Sequence, residues 1–182
     1  MTSDTDRRAL LQLARHAIVA HVTGQPPVVP LLDGALARGG GAFVTLHTGG
    51  ELRGCIGHIA DDEPLGRVIS RCAVAACSDD PRFPPVGRAE LDALDIELSL
   101  LGPLEPIAGP GDIDIGRHGL VVELGWKRGL LLPQVATEWH WDAETFLAHA
   151  CLKAGLPKDA WRHGATLWRF EAEVFGEPSP RP

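Results

Sequence analysis

Apolar residues recur at helical spacing in three stretches of the chain. In the first stretch they lie three or four positions apart from Leu10 to Ile18, and Gly24 follows as a terminator. The third stretch is preceded by Asp142, a residue type that caps helix N-termini. The pattern therefore predicts helices over 4–21, 62–77 and 142–154.

Other stretches alternate between apolar and polar residues, which is typical of half-buried strands. The first two are separated by Gly49 and Gly50, a pair suited to a hairpin turn. Because strands arrive as hairpins and helices are few, the pattern favours an α+β fold with an antiparallel sheet over a doubly wound sheet. The predicted strands occupy 41–48, 52–59, the stretch from Leu94, the hairpin 118–133 and 167–175.

Composition narrows the class of protein. The chain has 182 residues and a net charge of −7, which argues against nucleic-acid binding. No apolar run approaches the roughly 18 residues of a spanning helix, and the N-terminus does not resemble a signal peptide, so we expect a cytoplasmic protein without membrane association. The four cysteines lack zinc-type spacing, so we predict reduced thiols, no metal site and no cofactor.

The stretch ELRGCIGHIAD, residues 51–61, holds the sharpest chemical candidate. Cys55 lies between Gly54 and Gly57, with Arg53 and His58 close by. A cysteine pKa falls near cations, so Cys55 is a candidate nucleophile. In a regular strand Arg53 would share the face of Cys55 and His58 would not, unless a bulge at Gly57 changed the alternation. The alternative is a buried, unreactive cysteine with glycines required for packing.

Three other places carry polar residues of catalytic or binding type. In the proline-rich loop DDPRFPPV, Arg82 is a candidate ligand for a carboxylate or phosphate, or else forms a structural salt bridge with a nearby carboxylate. Glu97 and Ser99 share the polar face of a predicted strand, as a base and partner hydroxyl or simply as a solvated surface. His118 lies between two glycines, where it joins a site or only shapes a turn.

Several motifs resemble one known family. LRGCIG (52–57) is its signature, and the match continues through DPRFPPV, IELSLL, GRHGLVVE, LLLPQVA and CLKAGL. The chain is thereby identified as similar to the AMMECR-type domain family, called AmmeMemoRadiSam system protein A in prokaryotes. The resemblance covers about residues 5–176, within a single domain of two lobes spanning 1–182, and leaves 177–182 as a flexible tail.

The resemblance implies an α+β fold with an antiparallel sheet flanked by helices, a second smaller lobe, and a cleft between them near the signature. It also implies two partners, a Memo-like protein and a radical SAM protein, but it assigns no activity. His58 lies just outside the signature, at a position where the family also has small hydroxyl residues.

We therefore expect an enzyme acting on a small anionic molecule, with Cys55 as nucleophile or acid/base group. The alternative is a non-catalytic binding or assembly subunit of the same system. The expected catalytic residues are Cys55, His58 and Glu97, and the expected substrate-binding residues are Arg53, Gly54, Gly57, Arg82, Ser99 and His118.

Overall fold

The chain forms two compact units. The first comprises the part up to Leu100 together with the segment from Glu173, and the second is Leu101–Ala172. The computed structural model describes residues 2–60 and 62–177. The predicted flexible tail, apart from Glu177, lies outside the described residues.

The first unit packs helices on one face of an antiparallel sheet. The sheet has the strand order β2-β1-β3 within this unit. A 3₁₀-helix at Arg88–Ala93 leads into β3. The remaining elements are α1 (Asp4–Thr23), α2 (Gly34–Ala37), β1 (Ala42–Thr48), β2 (Glu51–His58), α3 (Leu65–Ser78) and β3 (Leu94–Leu101).

Local chemistry sets the ends of these helices. Ser3 caps α1 by accepting a hydrogen bond from the Asp6 N–H, and Gly24 ends the helix at a φ of 70°. The predicted start of α3 at residue 62 is wrong by three residues. Pro64 has an extended backbone, with ψ 137°, and the residue before a proline is disfavoured in the helical region, so α3 begins only at Leu65.

The core of the first unit lies between the sheet and the helices. Alternate strand residues such as Val44, Leu46 and Leu98 are fully buried, as are Val68 and Ile69 of α3. The opposite face of the same strands carries the polar residues. The apolar residues of the alternating strands therefore pack against the helices, and the polar residues on the other face are available for a possible site.

Gly54 allows β2 to approach α3. A Cβ atom at this position would lie 2.2 Å from the carbonyl oxygen of Ala76 in α3. Neighbouring strand and helix backbones can come this close only without a side chain. This glycine of the signature therefore serves helix packing.

The second unit has its own antiparallel strands and its own core. Its strands are β4 (Glu105–Pro106), β5 (His118–Leu124), β6 (Lys127–Leu131) and most of β7 (Thr166–Gly176), in the order β4-β7-β5-β6. Its helices are α4 (Pro133–Glu138) and α5 (Ala143–Lys153), with 3₁₀-helices at Pro110–Asp112 and Ala160–Arg162. Phe146 and Leu147 of α5 and Leu120 of β5 are fully buried in this core.

These elements confirm the predicted α+β class with antiparallel strands. Asp142 caps α5 as predicted, by accepting a hydrogen bond of 2.8 Å from the Thr145 N–H. The short helices α2 and α4 were not predicted. Within residues 2–60 and 62–177, no helix combines the length and apolar character needed to cross a membrane.

Substitution of Gly54 by Ala should destabilise the protein strongly. The new methyl group would meet the backbone of α3, which cannot rotate away, and we expect a loss of about 1–3 kcal/mol in the free energy of unfolding. Gly109 is the matched control, because a Cβ there meets no atom within 4 Å and its φ of 171° suits any residue. Urea unfolding of Gly54→Ala and Gly109→Ala tests this, and equal stability of the two variants would contradict the contact.

Candidate functional site

Cys55 belongs to a row of polar side chains that crosses the sheet of the first unit. The strand register pairs Cys55 with Thr45, and Thr45 with Glu97. Paired residues project from the same face, so the three side chains are neighbours. The Thr45 hydroxyl lies 3.4 Å from the Cys55 sulfur, within hydrogen-bond range for sulfur. The sheet thus places a thiol, a hydroxyl and a carboxylate side by side.

Asp80 connects this row to the loop after α3. Its Oδ2 accepts a hydrogen bond of 2.9 Å from the Cys55 N–H, and its Oδ1 accepts one of 3.1 Å from the Arg82 N–H. The carboxylate is almost fully buried, at 4% exposure. The guanidinium of Arg82 lowers the Asp80 pKa below its usual range, so the group is ionised at neutral pH.

Arg82 is held by Asp80 and remains accessible to solvent. Its Nε and Nη2 donate to the two oxygens of Asp80 at 3.0 and 2.7 Å, and Nη2 also lies 3.5 Å from the Cys55 carbonyl oxygen. The Arg82 side chain is nevertheless 55% exposed. The salt bridge that the sequence offered as an alternative is thus present, and it orients an accessible cation beside Cys55.

The Cys55 thiol is not activated in the free protein. Burial raises its pKa, the hydrogen bond with Thr45 and the charge of Arg82 lower it, and the charges of Asp80 and Glu97 raise it again, with a net upward shift. Arg53 and His58 are not among these main causes. The thiol is therefore protonated at neutral pH, contrary to the thiolate that the neighbouring cations in the sequence suggested.

Gly57 and Ser99 lie next to the row of Cys55. The register pairs Gly57 with Phe43 and Phe43 with Ser99. A Cβ on Gly57 would lie 2.3 Å from the Phe43 ring, so this glycine accommodates the aromatic side chain. Ser99 is fully buried, and its hydroxyl has no hydrogen-bond partner among the described residues. The face thus holds a polar group with unused hydrogen-bonding capacity.

Arg53 is directed away from the thiol. The strand pairing is regular at Gly57, so the bulge considered there is absent. The register instead shifts at Arg53, which has no partner because Leu46 pairs with Gly54 and His47 pairs with Leu52. Arg53 donates to both Glu90 oxygens, at 2.8 and 3.2 Å, and to the Pro84 carbonyl at 2.9 Å. It therefore anchors the proline-rich loop.

A groove of about 430 Å³ lies on the Arg53 side of the first unit. The row formed by Cys55, Thr45 and Glu97 does not line it. Its walls combine the Arg53–Glu90 ion pair with the strand residues Thr48, Glu51 and Leu52 and the loop residues Phe83, Pro84 and Pro85.

The two predicted histidines make separate contacts. His58 pairs with Ala42 in the register, on the face opposite to Cys55, and its Nε2 lies 2.8 Å from Asp62 Oδ1. His118 belongs to the second unit, where its Nδ1 accepts a hydrogen bond of 2.9 Å from the Asp114 N–H. This contact with the preceding turn agrees with the turn role that the sequence offered as an alternative for His118.

Two members of the site were missed from the sequence. Thr45 sits in an alternating strand with no special signal, and its role follows only from the register with Cys55 and Glu97. Asp80 was noted only as part of a polar loop. Its bond to the Cys55 N–H joins residues 25 positions apart. The run of charged residues before prolines was the available signal.

Comparisons with known proteins support one family. The AMMECR1 family model matches residues 11–175. A protein of Methanothermobacter thermautotrophicus is 46% identical over 184 residues, which cover 96% of each chain. A protein of Methanocaldococcus jannaschii is 44% identical over 180 residues, covering 94% of this chain and 90% of the relative.

A solved structure shares the fold. The crystal structure of the uncharacterised protein PH0010 from Pyrococcus horikoshii superposes with a TM-score of 0.85 at 43% identity. The superposition covers 92% of this chain and 89% of that one. The resemblance seen in the sequence motifs is thereby confirmed.

Replacing Asp80 by Asn should lower the free energy of unfolding by about 2–3 kcal/mol at pH 7. The substitution removes the buried negative charge that accepts hydrogen bonds from Cys55 and Arg82. The folded-state pKa of Asp80 is depressed, so its stabilising contribution is complete above the ordinary Asp value of about 3.9 and declines as the pH falls below it. Urea unfolding at pH 7 and pH 3 should show the difference between wild type and Asp80→Asn shrinking at the lower pH.

The control for this prediction is Glu171→Gln. Glu171 pairs with Arg117 at 2.7 Å, but both side chains are exposed, at 59% and 64%. Removing such an exposed pair should change stability little, because solvent screens the two charges. If Asp80→Asn lost no more stability than Glu171→Gln, the central role of Asp80 would be refuted.

Alkylation of Cys55 should have a pH midpoint above the value of about 8.5 for a free thiol. Arg82→Met should move this midpoint up, because a cation is lost, and Glu97→Gln should move it down, because an anion is lost. Cys72 and Cys77 have pKa values raised by burial to about 11 and should stay unreactive near neutral pH. Mass spectrometry of alkylated peptides from pH 6 to 10 provides the readout, with Arg117→Met as control. A Cys55 midpoint below that of a free thiol would contradict the raised pKa of this thiol.

Proposed function

The chain belongs to the AMMECR1 family, and we propose that it binds a small anionic molecule beside Arg82 and acts on it with the Cys55 thiol. The observation that carries this proposal is the Asp80–Arg82 arrangement. Asp80 holds one edge of the guanidinium, while the side chain stays 55% exposed next to Cys55. A planar, oriented guanidinium suits the bidentate recognition of a carboxylate or phosphate.

The proposed role of Cys55 is acid/base chemistry rather than attack by a standing thiolate. Its raised pKa keeps the proton on sulfur at neutral pH. The thiol donates this proton to the bound molecule, and the positive charge of Arg82 stabilises the thiolate that remains. Glu97, in the same row, supplies a second group that can carry a proton.

A nucleophilic Cys55 remains the second form of this proposal. Attack would require the thiol to lose its proton before the reaction begins, and the raised pKa of Cys55 opposes that loss at neutral pH. The acid/base form therefore agrees better with the charges around the sulfur. Arg53, His58 and His118 have no direct part in it.

The proposed partners, a Memo-like protein and a radical SAM protein, rest on the family resemblance. In this proposal the anionic molecule is exchanged with one of them.

The alternative is a non-catalytic binding or assembly subunit. Two observations favour it, the raised pKa of Cys55 and the separate groove of about 430 Å³ walled by Leu52, Phe83, Pro84 and Pro85. In that case the groove contacts a partner, and the signature is a packing feature.

Anion binding tests the enzyme proposal. Phosphate and malonate are titrated into the wild type and into Arg82→Met and Arg117→Met by calorimetry. Both variants lose an exposed, ion-paired arginine. We expect at least tenfold weaker binding in Arg82→Met, about 1.4 kcal/mol, and no change in Arg117→Met. Binding that is unchanged in Arg82→Met would overturn the anion site.

Capture of the two partners separates the alternatives. The readouts are capture of the Memo-like and radical SAM proteins and the activity measured with both of them present. If Leu52→Asp in the groove abolishes capture, while Cys55→Ser keeps both capture and activity, the assembly role replaces the enzyme. Loss of partnered activity in Cys55→Ser with intact capture supports the enzyme.

A further inference from the structure

We propose that His58, Asp62 and Glu63 form a binding site for a divalent transition-metal cation such as Zn²⁺ or Mn²⁺. One ligand atom from each of the three residues lies within 4.8 Å of the others. The prediction of no metal site rested on the spacing of the cysteines, whereas these three ligands lie at the end of β2 and in the loop that follows it. The site lies on the face of β2 opposite to Cys55 and does not depend on the proposed anion site.

Two of the ligands are held by one short segment of backbone. His58 is the last residue of β2 and pairs with Ala42. The Glu63 carbonyl accepts a hydrogen bond of 3.4 Å from the Gly40 N–H, and the Leu65 N–H donates one of 2.8 Å to Arg38. A bridge between Gly39 and Pro64 completes this connection. Residues 38–42 therefore fix the distance between the histidine and Glu63.

The donor set indicates the class of metal. One imidazole nitrogen and two carboxylate oxygens suit Zn²⁺ and Mn²⁺, whereas Mg²⁺ and Ca²⁺ prefer oxygen ligands alone. Bonds of about 2.1 Å to a tetrahedral ion place its ligand atoms about 3.4 Å apart. Asp62 is the adjustable member, because its side chain is 66% exposed and free to move by the ångström this needs. Water completes the coordination.

Arg71 competes with the metal for Glu63. Its Nη1 lies 2.8 Å from both carboxylate oxygens of Glu63. The ionised Asp62 and Glu63 and the cationic Arg71 together leave one negative charge beside His58. Removing Arg71 leaves two negative charges and frees both Glu63 oxygens, and both effects favour a divalent cation.

The chain contains a matched control pair. His163 and Asp159 are also a histidine and an aspartate four residues apart, with a nitrogen–oxygen distance of 3.5 Å. Unlike His58 and Asp62, they do not belong to a group of three possible metal ligands among the described residues. A generic effect of exposed His–Asp pairs on metal binding would therefore also appear at His163.

Calorimetric titration of Zn²⁺, repeated with Mn²⁺, tests the site in the full chain carrying Cys55→Ser, which removes the half-buried thiol as a competing ligand. We expect His58→Ala, Asp62→Asn and Glu63→Gln each to weaken binding at least tenfold, Arg71→Met to strengthen it several-fold, and His163→Ala to leave it unchanged. Circular dichroism and urea midpoints confirm that each variant is folded. Unchanged affinity in His58→Ala or Asp62→Asn, or no strengthening in Arg71→Met, overturns the three-ligand site.

Discussion

The buried carboxylate of Asp80 is the interaction on which the candidate site depends. A carboxylate with 4% exposure is tolerated only when charge-assisted hydrogen bonds compensate its lost hydration. Here the compensation comes from the Cys55 N–H of β2 and from the backbone and guanidinium of Arg82. Because these partners belong to a strand edge and to the loop after α3, satisfying one charge also fixes the loop on the strand. The orientation of Arg82 beside the thiol is a consequence of that requirement.

The sequence predicted those parts of the fold that depend on local chemistry. Alternation identified β1 and β3, and the carboxylate of Asp142 identified the start of α5. Contacts between segments that are distant along the chain could not be predicted from the sequence. The row of Thr45 with Cys55 and Glu97 depends on strand order and register, and the bond from Cys55 to Asp80 depends on how α3 returns to the sheet. The short helices α2 and α4 have too few residues for a periodic signal.

Proximity in sequence gave a misleading picture of the thiol. Arg53 and His58 are close to Cys55 along the chain, yet an irregular register turns one toward Glu90 and strand alternation carries the other to the opposite face. The groups that act on the sulfur come from other segments, and burial outweighs them. The glycines of the signature are explained by the Ala76 carbonyl and the Phe43 ring that they accommodate. Much of the signature therefore maintains structure.

The difference between residues that maintain structure and residues with unused polar groups restricts where a ligand can bind in the first unit. Arg53 has its guanidinium bound to Glu90 and Pro84, whereas the Arg82 side chain stays 55% exposed, and the Ser99 hydroxyl has no hydrogen-bond partner among the described residues. A ligand gains most where polar groups are oriented but not yet satisfied, because it then replaces water without breaking protein contacts. An anion beside Arg82 meets this condition. The proton stays on the Cys55 sulfur until a bound molecule accepts it, and the charge of Arg82 then favours the thiolate that remains.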